Sequence, residues 1–345
     1  MTDVFLYNEI MNLYDQKTGY VDVASILNAG YTFNFITGGR GIGKTYGFIK
    51  YFIESGIPFI FLRRTQIEAD LQADSVTSSL TAYLAPAGLH MKTDRIAKKI
   101  SRISIEETGQ EICVCAALST FASIRGIDLS KYEYILYDEF ITEPHVRALK
   151  MEGIALFNAY ESVNRNRELN GRDPLRLVGL SNSLNIANDV FIQFDIVNAA
   201  ERMINTGEES FTRGDLLLLI LQNSPISRRK KETALYQNAS EEYSRMSIDN
   251  QFILNDFRYV QKRKISEYIC RWSVGDLYVY EHKHREEYYI TFTQAKIKRA
   301  DRYGSNYMDL ERMKKDKVHF WFKYISGYVF FDSYKAVALF EKYFK

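Results

Sequence analysis

Apolar positions along this chain follow two rhythms. In the first two thirds, short solid apolar runs alternate with stretches of helical spacing. Tyr31-Thr-Phe-Asn-Phe-Ile-Thr37, Pro58-Phe-Ile-Phe-Leu-Arg63, Tyr134-Ile-Leu-Tyr137 and Leu175–Leu180 are aromatic- or aliphatic-rich and end in polar residues. Such runs predict strands, most of them buried on both faces. Between them, Thr45–Ile53 puts Tyr46, Ile49, Phe52 and Ile53 on one side at helical spacing. Residues 66–85 read as a helix stopped before Pro86, and residues 146–169 as a long helix closed by Asn170-Gly171. Ile100–Glu106 and Glu111–Ala117 alternate around Thr108-Gly109 and predict a hairpin. Strands separated by helices predict an α/β fold with a mostly parallel central sheet, helices on both faces and ligands at the carboxyl ends of the strands.

The rhythm changes after Leu221. Ser227-Arg-Arg-Lys-Lys-Glu232 opens a polar helical stretch to about Met246. From Phe257 the pattern is aromatic alternation, in Tyr268–Trp272, Leu277–Tyr280 and Glu287–Phe292, which predicts an antiparallel meander. Asp332–Phe344 then reads as a terminal helix with Tyr334, Val337, Phe340 and Phe344 on its apolar side. The chain therefore divides into residues 1–226, a helical linker 227–256 and a small α+β part 257–345. Charge follows the same division. Residues 1–256 carry 26 Lys and Arg against 32 Asp and Glu, a net of −6, and residues 257–345 carry 19 against 11, a net of +8. A basic tail piece on an acidic body points to an anionic partner, or simply to a solvated basic face.

With 345 residues and 46% apolar content, the chain has ample material for a core. Its longest aliphatic run, Leu216–Leu221, is too short to cross a bilayer, so no membrane association is expected. The start, Met1-Thr-Asp-Val-Phe5, lacks a basic segment followed by an apolar one, so no signal peptide is expected. Three cysteines fit a reducing compartment, and Cys113-x-Cys115 reads as a pair of buried thiols in a strand.

The chemistry concentrates at strand ends. Gly38, Gly39, Arg40, Gly41, Ile42, Gly43, Lys44 and Thr45 spell a complete G-x-x-x-x-G-K-[ST] loop, with a predicted strand before it and a helix after it. Backbone N–H groups of such a loop converge on phosphates, Lys44 would reach the terminal phosphates of ATP, and the Thr45 hydroxyl would ligate Mg²⁺. Asp138-Glu139 ends the Tyr134 strand. Asp138 suits the metal and its waters, and Glu139 suits polarisation of an attacking water. A small-molecule kinase would use the loop and the aspartate but needs no such glutamate. Ser181-Asn182 reads either as a sensor of the terminal phosphate or as a helix N-cap. Arg165 and Arg167, near the end of the long helix, read either as an arginine finger for a neighbouring subunit or as surface arginines. Arg125 has the same two readings, and Arg63-Arg64 would touch nucleotide or cap the sheet.

Together these segments, with Leu136-Tyr-Asp-Glu-Phe-Ile141, Asn164-Arg-Asn-Arg-Glu168, Leu180-Ser-Asn182 and Met246-Ser-Ile-Asp-Asn-Gln-Phe-Ile253, make the chain resemble the genome-packaging ATPases of small phi29-type tailed phages. The resemblance runs in order from about residue 5 to 256. It implies a P-loop motor of the ASCE class, related to large terminases. Such a motor forms a ring, a pentamer by family resemblance, at the portal of an empty prohead and drives double-stranded DNA inward. Residue by residue, Lys44 and Thr45 match Walker A, and Asp138 and Glu139 match Walker B with its catalytic glutamate. Arg165 matches a trans-acting arginine finger. Arg125 matches a second basic interface residue where a relative has Lys, and Asn182 matches the coupling motif. Residues 257–345 match an RNase H-like domain, here expected to be a vestigial nuclease. Its implied contacts are nucleic acid, including a prohead RNA in some relatives, or the portal. The expected location is the host cytoplasm, docked transiently on the prohead. Other readings are a helicase-like translocase, or a nucleotide-gated portal adaptor with little turnover.

Overall fold

Fourteen strands form two separate sheets among the described residues. The structure, a computed structural model, describes residues 12–124, 126–141, 149–182, 185–230, 232–239 and 259–344. The strands are β1 (Phe33–Gly38), β2 (Phe59–Arg63), β3 (Met91–Ala97), β4 (Ile100–Ile105), β5 (Glu111–Ala117), β6 (Tyr134–Asp138), β7 (Arg176–Asn182), β8 (Ser210–Arg213), β9 (Leu216–Leu221), β10 (Tyr268–Val274), β11 (Leu277–His282), β12 (Tyr288–Thr291), β13 (Arg302–Tyr303) and β14 (Val329–Phe331). The α-helices are α1 (Val23–Asn28), α2 (Lys44–Glu54), α3 (Gln66–Ala73), α4 (Ser79–Leu84), α5 (Glu152–Asn164), α6 (Asp189–Gln193), α7 (Val197–Thr206), α8 (Pro225–Lys230), α9 (Ala234–Asn238), α10 (Tyr307–Asp316), α11 (Val318–Ile325) and α12 (Tyr334–Phe344).

The chain divides into two compact units, Met1–Leu184 with Met203–Phe252, and Asn185–Arg202 with Ile253–Lys345. In the first, nine strands run in the order β3-β4-β5-β2-β6-β7-β1-β9-β8. The six from β5 to β9 are parallel, and antiparallel β4, β3 and β8 close the two flanks. The solid apolar runs are these parallel strands. In β2, β6 and β9 every residue is buried, as a sheet covered on both faces requires. The register aligns Gly38 with Asn182 and Asp138 with Leu180, so β1, β6 and β7 end at one edge.

The ring of Phe52 ties the phosphate-loop helix to this sheet, lying 4.8 Å from Phe59 and 4.9 Å from Tyr134 between ring centroids. Gly179 in the middle of β7 allows the close packing of Phe35, because a Cβ there would meet its ring at 2.7 Å. Cys113 and Cys115 are buried free thiols in β5, as the sequence suggests.

Several elements differ from the sequence reading. The helix expected over 66–85 is two helices, α3 and α4. Asp74 breaks it by taking an extended conformation and accepting the N–H groups of Val76 and Thr77, after which Ser78 caps α4. The long helix expected over 146–169 is α5 alone, and the part at 146–148 lies outside the described residues. It ends because Arg165 and Asn166 both turn left-handed, with φ of 45° and 56°. In the linker, α8 and α9 are separate short helices, and residues 240–256 lie outside the described residues.

The second unit holds a five-stranded sheet in the order β13-β10-β11-β12-β14. Its centre is the expected meander, but both edge strands pair in parallel. Residues 185–202, which the sequence reading left with residues 1–226, belong to this unit. Tyr334 N donates to Glu201, and Lys335 and Lys342 of α12 bind Asp195 and Asp189.

Phe52→Ala should cost the first unit about 3–5 kcal/mol, the usual range for truncating a buried phenylalanine. Urea unfolding checks this, and an unchanged midpoint would mean that the aromatic cluster does not anchor α2.

Candidate nucleotide site

The loop after β1 is wound too tightly for side chains at its glycines. Gly41 and Gly43 have φ of 68° and 89°, where only glycine is at ease. A Cβ on Gly43 would sit 2.9 Å from the ring of Tyr20, and one on Gly38 would sit 2.6 Å from Ile42. Gly43 then starts α2, whose first N–H groups and dipole face the same space.

Lys44 is buried, and its ammonium donates to the carbonyls of Gly38 and Gly39, both at 2.8 Å, and to Asn182 Oδ1 at 3.4 Å. All three acceptors are neutral. Burial pulls its pKa down to about 7, Asp138 opposes that pull, and the charges of Lys230 and Arg40 add to it. Thr45 Oγ1 donates to Asp138 Oδ1 at 3.0 Å. Burial raises the Asp138 carboxyl above the ordinary carboxylate range, with Arg63 opposing. These groups line an open cavity of about 410 Å³. Arg40, Gly41 and Gly43–Tyr46 form one wall, and Asp138, Glu139, Ser181 and Asn182 form the other.

The donor set fits a nucleotide with its metal. A lysine held by its own loop's carbonyls is poised to exchange them for phosphate oxygens, and a threonine hydroxyl bonded to a buried aspartate is a hard oxygen pair suited to Mg²⁺. Asp138 and Glu139 are adjacent yet differently placed. The Asp138 side chain is 7% exposed and that of Glu139 is 56% exposed. Glu139 has φ of 57°, a left-handed turn that ends β6.

The structure brings Lys44, Thr45, Asp138, Glu139 and Asn182 into one pocket. It does not bring Arg165 there. Helix α5 starts beside the pocket edge, where Glu152 binds Arg64 at 2.9 Å and also accepts from Tyr137. Its 13 residues then carry the chain about 20 Å away. Arg165 lies at the far end, 43% exposed, and pairs with Asp128 at 3.0 Å. Arg167 is instead buried and donates to the carbonyls of Ser130 and Tyr132, which makes it a structural brace. Arg125 lies outside the described residues. Asn182 ends β7 and accepts from Lys44, and the next helix is capped by Asn188, so neither Ser181 nor Asn182 caps it.

Sequence reasoning missed the role of Arg63. Its guanidinium spans both acidic residues, donating to Asp138 Oδ2 at 2.7 Å and to Glu139 Oε2 at 2.8 Å. The signal was present, since the Pro58–Arg63 run ends in a polar residue at the same strand edge as Asp138. Its meaning depended on β2 pairing with β6.

Residues 15–280 match the family model of the Podovirus DNA encapsidation protein, Gp16. The chain belongs to that family. Curated members similar to it include the DNA packaging proteins of Bacillus phages PZA and phi29, each 27% identical over 253 residues, covering 72% of this chain and 70% of theirs. That of phage B103 is 28% identical over 243 residues. Among solved structures, the Phi-28 gp11 DNA packaging motor aligns over 93% of this chain and 96% of its own, with a TM-score of 0.64 at 18% identity. The bacteriophage Phi-29 genome packaging motor assembly aligns over 94% and 99%, with a TM-score of 0.63 at 22% identity. At those identities the structural likeness shows a shared fold and nothing further. Among the described residues, no helix is long and apolar enough to cross a membrane.

Arg63→Met leaves buried Asp138 without its charge partner and should cost about 3–5 kcal/mol, whereas adding Asp138→Asn should recover much of the loss. A double-mutant cycle in urea measures the coupling, and purely additive losses would show that the ion pair is not formed.

Proposed function

We propose that this encapsidation protein is a Mg²⁺-dependent ATPase that drives double-stranded DNA into a prohead. The observation carrying the enzyme reading is the pocket itself, in which a phosphate loop, a buried aspartate and an exposed glutamate face one cavity. Loop N–H groups and Lys44 would hold the phosphates, and Thr45 with Asp138 would hold Mg²⁺. The metal's contribution there is to neutralise charge on the terminal phosphates. Glu139 reaches into the cavity and is the carboxylate available to take a proton from water. Arg63 orients it, and Asn182 couples Lys44 to the end of β7.

Arg165 is best read as acting on a neighbour. Its own pocket is about a helix length away, so its chain cannot use it in cis, and its exposed guanidinium is free of the core. This supports a homomeric ring with sites completed between subunits, a pentamer if it follows the phi29-type pattern. The relatives' descriptions as packaging motors support portal, prohead and DNA as partners. The +8 charge of residues 257–345 would suit phosphate backbones, a prohead RNA included, or an acidic portal face. We read that region as an RNase H-like fold kept for docking and not for cleavage. The protein would act in the host cytoplasm while docked on the prohead.

Glu139→Gln should bind ATP with near wild-type affinity and lose at least about 100-fold in turnover, the scale of a general-base contribution. Undiminished turnover would remove Glu139 from the mechanism. Arg165→Ala and Lys44→Ala subunits, each inactive alone, should regain partial ATPase activity when mixed. Mixed rings that form and stay inactive would contradict a finger supplied between subunits.

A further inference from the structure

Lys230 closes α8, and the fold aims it at the phosphate loop. The base of α8 is seated in the first unit by buried Ser224, Ile226 and Ser227. Ser224 Oγ donates to the carbonyl of Gly19 at 3.5 Å, and Pro225 lies so near Gly19 that a Cβ there would meet it at 3.0 Å. The Gly19 turn is itself fastened to the loop, since Val21 N donates to Ile42 O at 3.1 Å and the Tyr20 ring covers Gly43. From this base the Lys230 ammonium crosses to the loop and donates to the carbonyl of Arg40. It also occupies the space beside Gly41, where a side chain would collide with it.

The chemistry of that contact is mismatched. A full positive charge is bonded to a neutral peptide oxygen, which accepts the hydrogen bond but supplies no opposite charge. Lys44, a few residues along the same loop, has only neutral oxygen partners as well, and the charge of Lys230 weighs on it. Arg63 is bonded to both Asp138 and Glu139, and neither carboxylate is bonded to Lys44 or Lys230 in the contacts above. Two ammonium groups therefore flank the loop, each bonded to peptide or amide oxygens, and a polyphosphate is an anion that both could bind.

We propose that Lys230 is a second phosphate-binding lysine, which gives up the Arg40 carbonyl for a terminal phosphate oxygen when nucleoside triphosphate is bound. The inference rests on the ATPase reading and deepens it. Because α8 begins the 227–256 segment, the exchange would tie that segment to a triphosphate more strongly than to a diphosphate. Lys230 would thus be a specificity residue of the site and a link between its occupancy and the chain that follows. A plain structural brace for the loop is the competing role.

Lys230→Gln separates the two, because glutamine keeps a donor for the Arg40 carbonyl and removes the charge. Calorimetry would measure the affinity of each protein for Mg²⁺–AMP-PNP and Mg²⁺–ADP, with thermal unfolding of the nucleotide-free chains alongside. Lys230→Gln should weaken AMP-PNP binding about tenfold or more while changing ADP binding by less than about threefold, as loss of one charge-assisted bond to the terminal phosphate requires. Lys230→Arg should restore most of the AMP-PNP affinity. Equal losses for both nucleotides, with a lowered melting temperature, would assign Lys230 to bracing and overturn the proposal, as would no loss for either. If the wild-type protein bound neither nucleotide, the ATPase reading would fail, and this inference with it.

Discussion

A buried ammonium with no carboxylate of its own organises the first unit. Lys44 Nζ is held by two carbonyls of its own loop and by the amide oxygen of Asn182, and its charge is desolvated as a result. Keeping it there requires β1 and β7 to end in register, since Gly38 and Asn182 are strand partners. It also requires an aspartate at the end of the next strand and glycines that let the loop curl around the ammonium. The parallel sheet is the device that meets these demands at once, because its strands all deliver their carboxyl ends to one edge.

The second charge arrangement follows from the first. Asp138 and Glu139 leave β6 side by side, one buried and one facing solvent, and Arg63 from β2 binds both. A single guanidinium can do this because it is a rigid fork, which a lysine is not. The left-handed turn at Glu139 separates the two carboxylates, leaving one buried and one facing solvent. The site is therefore assembled from three strand ends and a loop, and Arg165, carried by α5 to its far end, lies outside it.

Much of this was legible in the sequence, and the limits are physical. The phosphate loop and Asp138-Glu139 are local patterns, in which neighbouring residues carry the chemistry, and they were readable without a fold. So was the parallel sheet, because strands covered on both faces must be apolar throughout. The roles of Arg63 and Lys230 were not readable, since each depends on which strand or helix lies across from it, and spacing along the chain does not encode that. Arg165 and Arg167 looked alike, and only the end of α5 separates a buried brace from an exposed guanidinium. The 66–85 helix misled because Asp74 resembles an ordinary polar helix position until its side chain is seen capturing two backbone N–H groups.

Nuclease protection of DNA in purified proheads supplied with the wild-type protein or Glu139→Gln shows whether this pocket powers packaging. Wild-type protein with ATP should leave protected, genome-length DNA, and Glu139→Gln should leave none even when it is loaded with ATP. Protection that persists with Glu139→Gln, or without ATP, would contradict that role for the pocket.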